Sequence, residues 1–514
     1  MADSATAAWP IPPQRISDVA RRWANQTPAA LALRDGECEW SYQQLGAAIV
    51  EAKNRLRQIG VRPGDRVIVV TENCLAVVAL LFAAAELDAW FVLVNARLTA
   101  PEIDAIREDS GARVMIFTIA ISADATLHAK RWSASLQYWG LLGELAVGLI
   151  NEDCEPEAVF YSGDEQVAAL VYTTGTTGKP KGVMLTHRNL LHVATASATL
   201  RHLSTTDRAY GVLPISHVYG LSSVTLGTLT AGACLQIAAR YSAAAAARAL
   251  MYDEVSVFQG VPAMYAKLIE FIAEDQQFMA PHLRFTYAGG SPLDPALKAR
   301  TEARLGLTLH NGYGLTETSP TVSQTRLERP RRDCSVGEII PGVRVRIVDS
   351  QGREVAAGEV GELRVQGPNV MKGYYRDPGL TQRVIVDGWL HTGDLGRIEP
   401  DGALFIVGRS KELIIRSGFN VYPVEVEAAL NSHPAVLQSA VVGRVDTGNE
   451  EVVAFVELKP GQQATVDEIC KFVAGQLSPY KRPSEINIMP ALPAAPTGKI
   501  LKNILKEMAL RRSD

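Results

Sequence analysis

The sequence predicts an α/β fold in three parts: a large N-terminal domain of parallel α/β sheets, a small barrel-like β subdomain, and a small α+β domain at the C-terminus. In the first half, short β-branched runs alternate with longer Ala/Leu-rich runs, which is typical of a parallel sheet covered by helices. From about residue 335, glycine-containing turns separate short apolar runs. A second change of pattern, near residues 408–412, marks the start of the C-terminal part.

Individual elements follow from the same patterns in chain order. In the first half, strands are expected at 66–70, 112–117, 209–212, 256–259 and 284–287, and helices at 42–59, 75–87 and 243–247. Asp401-Gly402 is typical of a hairpin turn in the β subdomain. In the C-terminal part, helices are expected at 423–430 and 466–477, and strands at 439–442 and 452–458.

Length and composition limit the classes of protein. The 514 residues correspond to about three domains of ~150 residues, so a single small binding module is excluded. Hydrophobic residues make up 47% and charged residues 21%, as in globular rather than disordered chains. There are 51 Lys and Arg residues against 55 Asp and Glu residues, so the sequence offers no basic excess for a nucleic-acid partner.

Cysteine usage and the N-terminus bear on location. The six cysteines stand apart without a C-x-x-C pair, which disfavours a zinc ribbon or a disulfide framework and fits a reducing compartment. No basic residue precedes Arg15, which argues against a signal peptide. The most apolar stretch, 75–85, is too short to span a bilayer. We therefore expect a cytoplasmic protein without an integral membrane segment, and the oligomeric state is left open with a homodimer as one option.

The run TTGTTGKPK at 173–181 carries the strongest chemical signal. It follows an apolar run and so leaves the end of an expected strand. Glycines let a backbone approach an anion closely, threonine hydroxyls donate hydrogen bonds and lysines supply positive charge, so the run suits a phosphate. The spacing differs from the P-loop pattern. The candidate phosphate-binding residues are Thr173, Thr174, Gly175, Thr176, Thr177, Gly178, Lys179 and Lys181.

This run resembles the phosphate loop of the adenylate-forming superfamily, which includes acyl- and aryl-CoA synthetases, firefly luciferase and the adenylation domains of peptide synthetases. Further runs resemble motifs of that superfamily in the expected order: AGGSPL (288–293), NGYGLTET (311–318), WLHTGDLG (389–396), GRSKELIIRSGFN (408–420) and APTGKI (495–500). The resemblance implies an adenylation domain at 1–408, a hinge at 409–412 and a mobile C-terminal domain at 413–514.

An ATP site is implied by the resemblance. Glu317 would hold a Mg²⁺ ion that bridges ATP phosphates, and Thr316 would bond to the α-phosphate. Tyr313 would pack on adenine, Asp394 would accept hydrogen bonds from the ribose hydroxyls, and Arg409 would reach the nucleotide. The other expected ATP-binding residues are Gly289, Gly290, Ser291, Asn311, Gly312, Gly314 and Leu315.

The resemblance also implies a two-step reaction. The carboxylate of an acid attacks the α-phosphate of Mg-ATP to give acyl-AMP and pyrophosphate, and a thiol then takes the acyl group. Lys499 would bond to the α-phosphate and the carboxylate and neutralise charge in the first step. Lys411 would be the hinge residue about which the small domain rotates. His217 would lie beside the carboxylate and gate the entry of the thiol.

Coenzyme A is the expected thiol. Only fifteen residues follow Lys499, too few for a carrier domain. Related plant CoA ligases carry lysine where Ile415 stands and glutamine where Asn420 stands, and Arg416 could substitute for that lysine. Two alternatives stay open: an enzyme that loads a separate carrier protein, and a nucleotide-binding homologue without activity. The expected coenzyme A contacts are Gly418, Phe419 and Asn420.

The resemblance implies an acyl pocket with a mostly apolar wall, which suits a fatty or an aromatic acid without choosing between them. The adenylation domains of peptide synthetases typically carry Phe-Asp in the stretch that holds His217, and the aspartate pairs with an amino group. No aspartate appears between residues 214 and 220 here, which disfavours an amino acid. No arginine stands among the wall positions, which disfavours a dicarboxylate. These positions are His217, Val218, Tyr219, Gln259, Gly289, Gly312 and Ser319.

Overall fold

The computed structural model describes residues 13–174, 180–273, 275–417, 419–446, 449–495 and 500–511. Within these ranges, no helix has the length and apolar character that crossing a bilayer requires.

The N-terminal part alternates strands and helices, as its sequence pattern predicts. In chain order they are α1 (Ser17–Gln26), β1 (Leu31–Asp35), β2 (Cys38–Ser41), α2 (Tyr42–Gln58), β3 (Arg66–Thr71), α3 (Leu75–Glu86), β4 (Trp90–Asn95), α4 (Ala100–Ser110), β5 (Val114–Phe117), α5 (Ala123–Arg131), β6 (Ser135–Tyr138), β7 (Glu144–Val147), β8 (Val167–Thr174), β9 (Pro180–Thr186), α6 (His187–Leu200), β10 (Arg208–Gly211), α7 (Gly227–Thr230), β11 (Cys234–Ile237), α8 (Ala243–Tyr252), β12 (Val257–Gly260), α9 (Pro262–Phe271), β13 (Phe285–Ala288), α10 (Pro295–Leu305), β14 (Leu309–Gly314), β15 (Thr321–Gln324) and β16 (Glu338–Ile339).

The rest of the chain is richer in antiparallel pairs. Its elements are β17 (Arg344–Val348), β18 (Gly361–Gln366), β19 (Gly373–Tyr374), α11 (Pro378–Val384), β20 (Ile385–Val386), β21 (Trp389–Ile398), β22 (Leu404–Arg409), β23 (Ile414–Arg416), β24 (Phe419–Val421), α12 (Pro423–Asn431), β25 (Val436–Asp446), β26 (Asn449–Leu458), α13 (Val466–Ala474), β27 (Glu485–Met489) and α14 (Lys502–Arg511).

Two large sheets form the N-terminal part. The first has the order β19-β9-β8-β4-β3-β5-β7-β6, with parallel pairing from β8 through β5 and antiparallel strands at both edges. The second has the order β16-β15-β14-β13-β12-β10-β11-β1-β2, with parallel pairing from β14 through β1. Helix α3 is buried along 75–85 because its sequence is apolar all round, and it packs in the main core.

Smaller sheets follow. Strands β17, β18, β21, β20 and β22 form an antiparallel sheet, and residues 399–403 connect β21 to β22 where the Asp401-Gly402 hairpin turn is expected. In the C-terminal part, β25, β26 and β27 form a sheet with a core of its own under α12 and α13. The predicted fold class is therefore confirmed. The domain bounds stay a prediction, although a 3₁₀ turn at Ser410–Glu412 follows β22 directly.

Candidate active site

Three of the predicted site stretches lie at one edge of the second large sheet. Gln259 is near the carboxyl end of β12, Gly289 follows β13, and residues 312–318 complete and follow β14. These three strands are parallel neighbours. The carboxyl ends of parallel strands open on the same edge, which is the usual ligand edge of an open α/β sheet. The fold thus brings together motifs that are up to about sixty residues apart in the chain.

Asp394 is the centre of one polar cluster, formed by Tyr313, Asp394 and Arg409. The Tyr313 hydroxyl donates to Asp394 Oδ2 at 2.5 Å, and Arg409 Nε lies 3.0 Å from Asp394 Oδ1. Antiparallel pairing of β21 with β22 sets Asp394 opposite Arg409, and Asp394 is only 4% exposed. Three residues predicted from separate motifs therefore meet. Their roles towards ribose and adenine stay predictions.

Charge in this Asp394 cluster is balanced locally. Burial, with the adjoining Asp394 carboxylate, raises the pKa of Tyr313 well above its usual value, so the phenol stays a donor. Burial by itself lowers the pKa of Arg409, but the Asp394 and Glu412 carboxylates outweigh it and raise that pKa. Both oxygens of Asp394 are thus bonded in this structure, and ribose hydroxyls would have to take over bonds that Tyr313 and Arg409 now make.

Glu317 belongs to a second polar cluster, formed with Tyr374 and Lys181. The Tyr374 hydroxyl donates to Glu317 Oε1 at 2.7 Å, and Lys181 Nζ lies 5.7 Å from the centre of the Tyr374 ring. Strand β19 pairs with β9, which sets Tyr374 opposite Val183 and close to Lys181. Burial and the Glu317 charge raise the pKa of Tyr374. Tyr374 was missed by sequence reasoning, although the aromatic pair after Gly373 was visible as a signal.

The phosphate run is described only at its two ends. Thr173 pairs with Lys181 and the backbone of Thr174 pairs with Pro180, so the run connects the antiparallel strands β8 and β9. Lys181 is thereby held on the Glu317 side of the site. The other predicted phosphate ligands, Gly175, Thr176, Thr177, Gly178 and Lys179, lie outside the described residues.

A short segment, 313–317, joins the two clusters. Its first residue bonds to Asp394 and its last lies beside Tyr374. Thr316 is buried in a 3₁₀ turn with Glu317, and the backbone amide of Leu315 donates to the carbonyl oxygen of Pro320. A Cβ at Gly314 would meet that same carbonyl, so glycine is needed for the approach.

Asn311 has a structural role in addition to the predicted contact with ATP. Its side-chain amide donates to the carbonyl oxygens of Cys334 and Ser335, at 3.1 and 3.2 Å. The residue is buried, so the amide fastens the loop before β16 to the end of β14. Both donated bonds of this side chain therefore go to the protein backbone, and the expectation that Asn311 contacts ATP stays a prediction.

The loop after β13 has the conformation that its glycines allow. Gly290 has a φ of +81°, which strains any other residue, and Ser291 follows it half-buried. A Cβ at Gly289 would lie 3.3 Å from the Tyr219 ring and 3.4 Å from the Tyr287 ring. The loop therefore presents only backbone at Gly289 and Gly290, next to Tyr219 and Tyr287, and we call these two glycines the floor of the site.

The predicted acyl wall is assembled at this floor. Tyr219 opens a buried π-helical segment, Tyr219–Leu226, a type of irregularity that is frequent at functional sites. Val218 is fully buried, whereas His217 is half-buried and its Nδ1 accepts from the Tyr219 amide at 3.3 Å. A Cβ at Gly312 would collide with the Tyr287 hydroxyl, so Tyr287 is a wall residue that the sequence did not indicate.

The wall is more polar than predicted. Tyr219 Oη, Gln259 Nε2 and Ser319 Oγ are buried, and no hydrogen-bond partner lies near them in the described parts of the chain. Arg201 also reaches the wall, since its Nη1 donates to Gln259 Oε1 at 2.5 Å. The absence of arginine from the predicted wall positions therefore does not keep arginine away from the wall, because Arg201 reaches Gln259 from the end of α6, 58 residues earlier in the chain. The expectation against a dicarboxylate stays a prediction.

The C-terminal residues are placed differently. Lys411 is exposed in its 3₁₀ turn, and Phe419 and Asn420 are exposed on β24, with Phe419 stacked on Tyr480 at 4.6 Å between ring centres. Arg416 is engaged, because its Nη2 lies 3.1 Å from Glu451 and its Nη1 donates to a backbone carbonyl. The predicted residues Gly418 and Lys499 lie outside the described part of the chain.

Comparison with known proteins agrees with this arrangement. The profile of AMP-binding enzymes matches residues 20–375, and that of the AMP-binding enzyme C-terminal domain matches 425–499. A feruloyl-CoA synthase of an Amycolatopsis species is 35% identical over 98% of both chains, and the indoleacetate–CoA ligase of Aromatoleum aromaticum is 32% identical over 97% of this chain and 99% of its own. ATP-bound MatB from Rhodopseudomonas palustris superposes with a TM-score of 0.84 at 28% identity, over 97% of this chain and 100% of that one. The chain therefore belongs to the AMP-binding enzyme family, as its motifs predict.

Proposed function

We propose that the chain is an AMP-forming acid–CoA ligase, which activates a carboxylic acid with ATP and transfers the acyl group to coenzyme A. The observation that carries the proposal is the segment 313–317, which has the Asp394 carboxylate at one end and, at the other, Glu317 and Lys181, each in contact with Tyr374. Asp394 suits sugar hydroxyls, and Lys181 suits a polyphosphate. A nucleoside triphosphate laid along the segment would meet both.

Charge explains what the residues do in the first step. An oxygen of the acid carboxylate bonds to the α-phosphorus while the bond from that phosphorus to pyrophosphate breaks. Both reactants are anions, so cations fixed nearby lower the barrier more than mobile ions would. Lys181 and Arg409 supply such charge at the two ends of the segment 313–317. Lys499 is proposed to supply it at the reacting carboxylate.

Glu317 is the residue proposed to hold Mg²⁺. One of its oxygens accepts from Tyr374, no bond to the other is found among the described residues, and the side chain is half-buried. Magnesium is commonly held by one or two carboxylates together with substrate phosphates, so the residues fit the ion. A bound Mg²⁺ would offset the charge that develops on pyrophosphate. Tyr374 would keep the carboxylate oriented.

The acid is proposed to be aromatic. Two relatives that match the chain over its length are named for the ferulate and indoleacetate groups they activate, and both are aryl acids. Tyr219 and Tyr287 meet edge to face at 6.2 Å beside Gly289, so the wall presents ring edges and faces to a flat substrate. Fatty acids remain as a comparison class for the test.

The acceptor has one competing candidate. Arg416 is held by Glu451 and by the carbonyl oxygen of Arg482, so it is not free to replace the lysine that plant CoA ligases carry one position earlier. This favours keeping a carrier protein as the alternative acceptor. The exposed Phe419 beside Tyr480 offers a flat apolar surface to either thiol.

A direct test is to incubate the purified protein with Mg-ATP and a pooled panel of aryl, fatty and short-chain acids, with and without coenzyme A, and to read the products by mass spectrometry. An acyl-CoA that appears only with coenzyme A supports the proposal and identifies the acid. Equal accumulation of acyl-AMP in both tubes would mean that coenzyme A is not the acceptor, and a carrier protein would then be the acceptor to test. Formation of neither product from any acid contradicts it.

A matched pair of variants connects that activity to the site. Asp394→Ala removes the buried carboxylate, whereas Asp401→Ala removes a carboxylate in the turn after β21 that pairs with Arg331. We expect the first to lower ATP–pyrophosphate exchange by about a hundredfold, as for loss of a charged group that is bonded in the transition state. The second should keep the exchange rate.

A further inference from the structure

Arg201 is a buried cation beside the proposed acyl pocket. It follows the last residue of α6 and is only 1% exposed. Its Nη1 donates to Gln259 Oε1 at 2.5 Å and to the carbonyl oxygen of Ser223 at 3.2 Å, and its Nη2 donates to Gln324 Oε1 at 3.3 Å. Its Cζ lies 4.5 Å from the centre of the Tyr287 ring. None of these partners is charged.

These contacts place the guanidinium under four adjacent strands. Gln259 of β12 pairs with Tyr287 of β13, and Gln324 of β15 pairs with Gly312 of β14. The strand order at this edge is β15-β14-β13-β12. Arg201 thus reaches the wall close to Gly312. Thr316, the residue proposed to bond to the α-phosphate, follows four residues later in the chain. The cation therefore lies towards the end of the acid that is remote from its reacting carboxylate.

Its surroundings leave the cation incompletely satisfied. Within the described ranges no carboxylate forms an ion pair with Arg201, and its Nε has no hydrogen-bond partner. Arg66, which is equally buried, differs because its Nε, Nη1 and Nη2 all donate to backbone carbonyl oxygens. A buried charge without a counterion is unfavourable, and a structural arginine of the Arg66 kind avoids much of that cost.

Gln259 also has a buried donor without a hydrogen-bond partner among the described residues. Because its Oε1 faces Arg201, its amide nitrogen points elsewhere, and that Nε2 has no partner among the described residues. Arg201 Nε and Gln259 Nε2 are both donors. Buried donors without an acceptor are rare in native proteins. What would satisfy them is a ligand that brings oxygen atoms, and a negative charge would complete the balance.

We propose that Arg201 is a specificity-determining residue, and that Arg201 and Gln259 bind an oxygen substituent at the remote end of the acid. A second carboxylate gains most, because a guanidinium binds carboxylate through two parallel hydrogen bonds. A ring hydroxyl or carbonyl shares the acceptor chemistry without the charge. This inference rests on the proposed function, and it reverses the sequence-based argument against a dicarboxylic acid.

The test compares acids that differ only at the remote end. The purified full-length chain is incubated with cinnamic acids that carry a para carboxylate, hydroxyl or methyl group. The kcat/KM for each acid is measured by ATP–pyrophosphate exchange. For the wild type we expect at least one oxygen-bearing acid to exceed the methyl acid by about tenfold or more, because unpaired polar groups in the pocket reject an apolar isostere. The carboxylate and hydroxyl arms show which oxygen is preferred.

Two variants then assign the preference to Arg201. Arg201→Met keeps the length and apolar character of the stem but removes the donors, and the preference should fall to within about threefold. Gln259→Glu instead places a carboxylate where Gln259 Oε1 now accepts from Arg201, so that Arg201 gains a counterion within the protein. It should fold at least as stably as the wild type, lose the preference and reject the second carboxylate by charge repulsion.

Arg304→Met is the matched control. Arg304 also lies over an aromatic ring, that of Phe278 at 5.0 Å, and donates to the carbonyl oxygens of Ile272 and Asp275, away from the strand ends. Its removal should leave the ratio between the acids as in the wild type. If Arg201→Met does not fold, Gln259→Glu alone decides the question.

The possible failures are distinct. If the wild type activates all three acids without preference, or if Gln259→Glu keeps the wild-type preference, Arg201 does not select the acid and this inference is wrong while the proposed function stands. If the wild type activates neither the cinnamic acids nor any other acid in the pooled panel, the proposed function fails and the inference fails with it.

Discussion

Removing the hydroxyl of Tyr374 should impair adenylation while leaving the fold in place. That hydroxyl donates to Glu317 Oε1 at 2.7 Å, and the ring below it lies 5.7 Å from Lys181 Nζ. Tyr374→Phe keeps the ring and its packing against β9, so the change is confined to the orientation of the Glu317 carboxylate. The carboxylate would then rotate away from the position in which we propose that it holds Mg²⁺.

The size of the effect follows from the burial of the bond. A hydrogen bond to a charged group contributes about 1.5–3 kcal/mol when it is lost without replacement. Glu317 is half-buried, so water replaces part of the bond, and about 1–2 kcal/mol remains. That corresponds to about five- to thirtyfold in kcat/KM for ATP. ATP–pyrophosphate exchange at several Mg²⁺ concentrations measures it, and the apparent Mg²⁺ requirement should rise.

Tyr375→Phe is the control within the same chain. The Tyr375 hydroxyl donates to Glu157 Oε1 at 2.6 Å, a bond of the same kind to a carboxylate outside the site. Burial raises the pKa of Tyr375 to about 12 and also raises that of Tyr374, so both phenols are donors near neutral pH. Wild-type exchange in Tyr374→Phe, or an equal loss in Tyr375→Phe, would refute the reasoning.

Three further predictions follow from single contacts. Gly312→Ala should lower acid activation at least tenfold, because the new methyl group would collide with the Tyr287 hydroxyl and would lie 2.7 Å from the Tyr287 ring and 2.8 Å from the Ser323 carbonyl oxygen. Tyr287→Phe in the same chain removes the shortest of these contacts and should restore part of the kcat/KM; no restoration would contradict the hydroxyl as the main obstacle. Burial and the charge of Lys298 lower the pKa of His310 to about 4, so the unfolded chain binds more protons between about pH 4 and 6.5. The free energy of unfolding, measured by urea titration, should therefore fall by up to about 3 kcal/mol as the pH falls through that window, and it should fall less in His310→Gln. The same pH dependence in the wild type and the variant would contradict this prediction. Lys499→Ala should abolish adenylation yet spare thioester formation from supplied acyl-AMP, whereas equal loss of both half-reactions, measured separately, would contradict its proposed role.

The fold was predictable where one physical requirement dominates a segment. Residues 75–85 are apolar on all sides, so the hydrophobic effect favours burying the whole helix, and α3 is buried along that length. The β-branched run 66–70 became the central strand β3 for the same reason. Strands β19 and β20, with two residues each, were not predicted, because so short a strand carries no periodicity and forms only when a partner strand is present.

The motifs that resemble the superfamily's nucleotide motifs predicted residues that meet in the structure, while their contacts with ATP stay predictions. Tyr313, Asp394 and Arg409 came from three separate motifs, and the structure joins them through two direct contacts. Asn311 shows what motif reasoning does not reveal. Its amide nitrogen donates to the carbonyl oxygens of Cys334 and Ser335, and the loop that carries these two residues could not be predicted from the sequence around Asn311.

The residues that sequence reasoning missed have a common cause. Tyr374 reaches Glu317 only after β19 pairs with β9, and Arg201 reaches Gln259 only after the fold brings the end of α6 close to β12. Motifs are recognised by groups that meet ATP, which every member of such a family shares, whereas the acid differs between members. A group that selects the acid therefore has no reason to stand in a shared motif. It is found by asking which buried donors have no acceptor among the described residues, and Arg201 Nε and Gln259 Nε2 are among those donors at this wall.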